Sequence, residues 1–244
     1  MITTLDEVAE PARGAVRLLR ASLLRGLGDD VAAIWLYGAT IFGPRAIDVD
    51  LHVLLRQPPG ASGSKAIQAA HDTVERENPG IDLDTWYILL DDARKPEPPP
   101  NVGPWHPGVR DEHWALHRAH WLAGAVIVVH GLAPQGIVPP PEWQEIEQAL
   151  RRDAEEAGRV LSGGSPYWTL QLCRILASLE TRDVVRSKLD SGAWALERLG
   201  PGFAPIIRAA QRYYSGVARP GDLDLIKSGY PAFYEALKRL IDAA

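Results

Sequence analysis

The sequence predicts an α+β protein in two parts: a small mixed sheet with helices over residues 1–138, and an α-helical bundle over residues 139–244. Three observations predict it. Short strand-patterned runs over 31–37, 47–55 and 83–90 alternate with helical segments in the first part only. The stretch 131–141 carries Pro134, Pro139, Pro140 and Pro141, which suit neither a helix nor a central strand, and reads as an interdomain linker. Beyond it the spacing is helical throughout, over 142–161, 167–179, 188–199, 203–214 and 221–241, with Gly, Pro or Ser between the segments.

In order, Thr4 with Glu7 three residues on has the pattern of a capping box. Val16, Leu19, Leu23 and Leu27 then recur at helical spacing, so a helix is expected to about Leu27, with Pro11 tolerated near its start. Residues 31–37 form a short buried strand. Residues 38–46 hold two glycines and a proline and make a tight loop, and 47–55 return as a strand in which apolar and polar residues alternate. A helix over 66–77 and the turn Asn78-Pro79-Gly80 lead to the third strand. The proline-laden segment 95–108 is a stiff loop. Residues 111–129 regain helical spacing.

Composition excludes several classes of function. The net charge of -5 leaves no strongly basic face for a long nucleic acid. The longest apolar run, 121–129, is far short of the roughly 20 residues that cross a bilayer, and no secretory pattern opens the chain. Cys173 is the single cysteine, which fits a reducing compartment, and the expected location is cytoplasmic. Trp86, Trp105, Trp114 and Trp121 are expected to serve core and interface packing.

The chemistry concentrates in Leu36-Tyr37-Gly38-Ala39-Thr40 and Ile47-Asp48-Val49-Asp50-Leu51. Residues two apart in a strand share a face, so Asp48 and Asp50 project together while Ile47, Val49 and Leu51 face the core. Two such charges about 4 Å apart repel by about 4 kcal/mol at an effective dielectric near 20, a cost that a divalent cation between them reverses. Magnesium suits oxygen ligands and substrate phosphates. Asp82 and Asp84 repeat the spacing on the third strand and offer a further carboxylate. The turn at Gly38 lets backbone amides approach a triphosphate.

A D-x-D flanked by apolar strand residues, shortly after a strand that ends in a glycine turn, resembles the signature of the DNA polymerase beta-like nucleotidyltransferase superfamily. The chain more particularly resembles the aminoglycoside 3''/9-nucleotidyltransferases, which adenylylate streptomycin or spectinomycin. The resemblance is carried by Leu36-Tyr37-Gly38 and Asp48-Val49-Asp50. It extends to Leu172-Cys173-Arg174-Ile175-Leu176, Leu179-Glu180-Thr181, Ser187-Lys188 and Trp194-Ala195-Leu196-Glu197-Arg198-Leu199.

The resemblance implies that Asp48 and Asp50 hold Mg2+ and that Asp84 is the catalytic base, one methylene shorter than the family's glutamate. It also implies that Arg174, Lys188 and Tyr214 contact ATP, and that the nucleotide lies between the two parts. The acceptor would be a small hydroxylated molecule, an aminoglycoside or a relative of one.

The chain departs from that pattern at identifiable places. Ala39 stands where the family's loop has a serine aimed at the phosphates, so Thr40 is expected to supply the hydroxyl. The loop before Asp48 is short, and Ile47 replaces another serine. Gly163-Gly164-Ser165-Pro166-Tyr167-Trp168 occupies the place of an acidic acceptor-binding cluster, which points to a different acceptor stacking on Tyr167 and Trp168. These departures open a second reading, a catalytically weakened nucleotide-binding or interaction module on the same fold. His113, His117 and His120 fall on one helical face. Zinc ligation is one use of such a face, and contact with substrate or a partner chain is the favoured one.

Overall fold

The computed structural model describes residues 1–43, 48–160 and 164–244, and the chain divides into two compact units, Met1–Glu142 and Trp143–Ala244. Ile47, expected to open the second strand, lies outside the described residues. So do Leu161, at the end of an expected helix, and Gly163 in the segment read as acceptor-binding.

In the first unit, Thr4 and Glu7 cap a single 3-10 turn, with the Glu7 carboxylate accepting from the Thr3 and Thr4 amides. The long helix expected from Thr4 starts instead at α1 (Ala12–Leu27). It buries Ala12, Ala15, Val16, Leu19 and Leu23 along one stripe. Strand β1 (Val31–Tyr37) follows and is buried at every position because it is central in the sheet. Next come β2 (Asp48–Leu55), α2 (Gly60–Glu77) and β3 (Asp82–Leu89). Helix α2 begins earlier than its composition suggests. Only the first positions of β2 alternate, and from Leu51 onward it is buried on both faces. A short α3 (Leu90–Ala93) leads into the proline-rich loop.

The segment 111–129 is not one helix. Helix α4 covers only Trp114–Leu122, and Ile127–Gly131 is a strand, β4. Gly124 at φ +86 ends the helical path, and the β-branched residues after it add a fourth strand against the free edge of β1. The sheet is mixed, in the order β3-β2-β1-β4, with β2 parallel to β3 and antiparallel pairing elsewhere.

Helix α1 packs on α2, β1 and β2. Trp35 and Tyr37 of β1, Leu54 of β2 and Ile88 of β3 form one core cluster with Trp114 and Trp121 of α4. The tryptophan pair Trp35 and Trp121 meets edge-on at 5.0 Å, and the Trp35 indole donates to the Leu132 carbonyl. Trp114 and Trp121 are therefore core residues, as expected, although polar residues surround them in the sequence.

Among its described residues the second unit is a bundle of five α-helices: α5 (Trp143–Arg159), α6 (Pro166–Thr181), α7 (Lys188–Arg198), α8 (Ala204–Tyr214) and α9 (Asp222–Ala243). Helix α6 is the hub, packed against the other four and apolar nearly all round. Burial of Cys173 within it pushes the thiol up to about 12, which keeps it protonated. Ser165 and Ser187 cap α6 and α7 by accepting from the Trp168 and Asp190 amides. The Tyr230 hydroxyl ties α9 to the Ala157 carbonyl of α5.

Candidate active site

The register of β2 on β3 sets the carboxylates side by side. Asp48 pairs with Asp82 and Asp50 with Asp84, and parallel neighbours project to the same face. Tyr37 stands opposite Asp50 on the other side of β2, so this face carries Tyr37, Asp50 and Asp84 in one row. Asp48, Asp82 and Asp84 are exposed where the strands begin, and Asp50 is half-buried.

Gly38 closes the row. Its φ is +72, and a Cβ built there would lie 1.7 Å from Asp50 Oδ2, so the carboxylate occupies the space a side chain would need. Thr40 behaves differently from the expectation. It is buried, and its hydroxyl donates to the Asp48 carbonyl at 2.6 Å. That group is spent on the backbone of β2 and does not point at a phosphate. The turn Gly38–Ile41 therefore offers main-chain amides, and Ala39 adds no hydroxyl.

Asp84 meets solvent, yet partial desolvation by its surroundings lifts its carboxyl above the ordinary value. His117 works against that shift, Asp82 and Asp111 add to it, and His113 opposes it. Tyr37 is buried, and desolvation, then the charges of Asp50, Asp111 and Asp84, push its hydroxyl well above the usual range. It stays neutral beside the carboxylates. The donors on this face are hard oxygens on adjacent strands, with an Asp50 carboxylate seated over a bare Cα, and they fit a magnesium ion.

Asp84 also lines a cleft of about 640 Å³ along the edge of β3. Its walls hold Asp72 and Glu75 from α2, Asp82 from β3, and the indoles of Trp86 and Trp105. Among the described lining residues there are four carboxylates and no lysine or arginine. The His71 ring lies tilted against Trp105, 4.4 Å between ring centres, and shares a 2.9 Å hydrogen bond with the Tyr87 hydroxyl. Burial depresses its imidazole to about 4, with Asp72 opposing.

A second polar group lies behind the carboxylate row. The Asp111 Oδ2 atom meets His52 Nε2 at 3.2 Å and His117 Nδ1 at 2.8 Å, while Oδ1 accepts from the His113 amide. Sequence reading missed His52 and Asp111, although His52 lies two residues beyond Asp50 and so shares its face. Of the three histidines expected on one surface, His117 turns inward to this cluster, and His113 is the cap residue of α4.

In the helical unit, Lys188 and Tyr214 do come together. The Lys188 Nζ lies 4.1 Å from the Tyr167 ring centre and 5.6 Å from that of Tyr214. Arg174, half-exposed on α6, makes no ion pair among the described residues. Two acidic residues of the neighbouring segments are engaged by others: Glu180 by Arg198, and Asp190 by Ser187.

Residues 137–229 match the protein family described as aminoglycoside adenylyltransferase, C-terminal domain. The match covers most of the helical unit and is to that family's C-terminal domain. Across 94% of this chain and 98% of the other, the fold is that of the crystal structure of spectinomycin adenyltransferase AAD(9) from Enterococcus faecialis, which was solved with ATP and spectinomycin. The TM-score is 0.76 at 12% identity, so this likeness is one of fold. No curated protein matches the chain. The family domain and the fold together place the chain among the nucleotidyltransferases.

Within the adenylyltransferase domain, the glycine-rich entry to α6 has a packing role. A Cβ at Gly164 would lie 2.3 Å from Tyr230 Cβ, so glycine is needed there for α9 to approach. Tyr167 is exposed beneath Lys188, and Trp168 is half-buried.

Proposed function

We propose that the protein is a magnesium-dependent nucleotidyltransferase that moves AMP from ATP to a hydroxyl of a small molecule, an aminoglycoside of the streptomycin or spectinomycin kind or a related acceptor. The observation that carries this reading is the register that sets Asp48 and Asp50 beside Asp82 and Asp84, with Gly38 bare beneath the Asp50 carboxylate.

In this reading Asp48 and Asp50 hold magnesium, which when bound neutralises phosphate oxygens and favours departure of pyrophosphate. Amides of the Gly38 turn approach the phosphates. Asp84, with its raised carboxyl, takes the proton of the acceptor hydroxyl. That oxygen bonds to the α phosphorus, and the bond to pyrophosphate breaks. Lys188 and Arg174 supply positive charge to the triphosphate, and Tyr214 contacts the nucleotide. The acidic cleft along β3 favours a cationic acceptor.

The weakened-module reading keeps one observation on its side: the Thr40 hydroxyl serves Asp48, and Ala39 has none to offer. Labelled ATP with magnesium and a panel of aminocyclitol antibiotics separates the two. Transfer of label to an acceptor, lost in Asp48→Asn, is the expected result. ATP binding by calorimetry without label transfer to any acceptor favours the module.

A further inference from the structure

We propose that His52, Asp111 and His117 form a transition-metal site of zinc type, separate from the Asp48 and Asp50 pair and independent of the nucleotidyl-transfer reading. The ligand atoms are His52 Nε2, Asp111 Oδ2 and His117 Nδ1, all within 4.8 Å of one another. They come from β2, the turn before α4 and α4 itself, so three separate stretches of chain converge on one point.

The chemistry selects the ion. Two imidazole nitrogens and one carboxylate oxygen suit zinc and its neighbours, whereas magnesium and calcium take oxygen donors. The site is also dry. The side chains of His52, Asp111 and His117 are 0%, 2% and 17% exposed. A carboxylate held ionised at such depth is costly unless it is paired or coordinates a metal.

The Asp111 carboxylate only accepts, so in the metal-free chain His52 carries its proton on Nε2, and its Nδ1 is buried with no hydrogen-bond partner among the described residues. Coordination exchanges the Nε2–Asp111 contact for the ion. The proton moves to Nδ1 and the Nε2 lone pair faces the ion, with no net proton released by this residue. Tyr37 and Trp121 pack against both imidazoles, at 4.8 to 5.6 Å between ring centres, and hold the rings in place. His117 is the least buried of the three ligands, so the remaining coordination position opens on its side, where water or a substrate atom binds. The ion clamps α4 to β2 directly behind Asp50 and Asp84.

The test is a titration of the chelator-stripped full chain with Zn2+ and with Co2+, in excess magnesium chloride so that the oxygen-lined pair is filled. A single equivalent of Zn2+ is expected to bind, and Co2+ is expected to give the intense visible bands of a four-coordinate nitrogen and oxygen site. Asp111→Asn, His117→Ala and His52→Leu, each checked for folding by circular dichroism, should weaken binding by about 100-fold or more. Asp48→Asn should leave it unchanged. No Zn2+ uptake by the wild-type chain overturns the proposal, as do the weak bands of six-coordinate Co2+ or full binding by the folded ligand variants. Should every ligand variant unfold, the wild-type titration and the Co2+ spectrum still decide.

Discussion

The carboxylate of Asp50 fills the space in which a side chain at Gly38 would begin, with Oδ2 1.7 Å from the site of the missing Cβ. One glycine therefore does two things. It adopts φ +72, and it lets an acidic group seat against the main chain at the turn where phosphate is expected.

Gly38→Ala should destabilise the protein by about 1–3 kcal/mol in urea denaturation, through strain at positive φ and collision with Asp50. Shortening the partner in Gly38→Ala/Asp50→Ala should return part of that loss. A double-mutant cycle should give a coupling of about 0.5–3 kcal/mol. Simple additivity would show that the contact with Asp50 is not what excludes a side chain.

Asp84→Asn should lower kcat by about 100- to 10,000-fold with little change in ATP binding, and Asp84→Glu should retain most of the rate. The pH profile carries a second sign. The carboxyl is raised, and only its deprotonated form accepts a proton, so the acidic limb of kcat/KM should lie above the ordinary Asp value of 3.8. Asp84→Asn should abolish that limb.

Thr40→Val removes a hydroxyl that serves the Asp48 carbonyl, at a cost of about 1 kcal/mol. Because the effect passes through β2, the magnesium concentration needed for half-maximal rate should rise while KM for ATP at saturating magnesium stays near wild type. A selective rise in ATP KM would mean that the hydroxyl reaches phosphate after all.

Lys188→Met should weaken ATP binding by about tenfold or more, the loss of a charge-assisted contact worth roughly 1.5 kcal/mol or more. Stability should fall by no more than about 1–2 kcal/mol, since the cation–π contacts with Tyr167 and Tyr214 at this half-buried lysine contribute about 0.5–1 kcal/mol each. Calorimetry with ATP and magnesium measures the first, thermal melting the second.

Acid should loosen the first unit before carboxylates protonate. His71 is held to about 4 by burial, below its ordinary 6.5, so below 6.5 the unfolded chain binds more protons than the folded one. Stability is full above 6.5 and falls as the pH drops toward 4. His71→Gln should flatten melting temperature against pH across that window, and an unchanged slope would place the titration elsewhere.

The amino-acid order by itself determined a great deal here. Hydrophobic periodicity is a local property, and it marked β1, β2, β3 and the five helices of the second unit. The two-residue spacing of Asp48 and Asp50 needs only the pleat of a strand to put them on one face. Tertiary structure decided what depends on partners distant in sequence. Strand β4 hid at the end of a helical pattern because its identity comes from pairing with β1, some ninety residues earlier. The Thr40 hydroxyl was assigned to phosphate because its true acceptor, the Asp48 carbonyl, is a main-chain atom that no side-chain pattern reveals. His52 and Asp111 are 59 residues apart and meet only because α4 packs across the sheet. Burial then turns two ordinary polar residues into a single buried cluster, by removing the water that would otherwise have satisfied each of them alone.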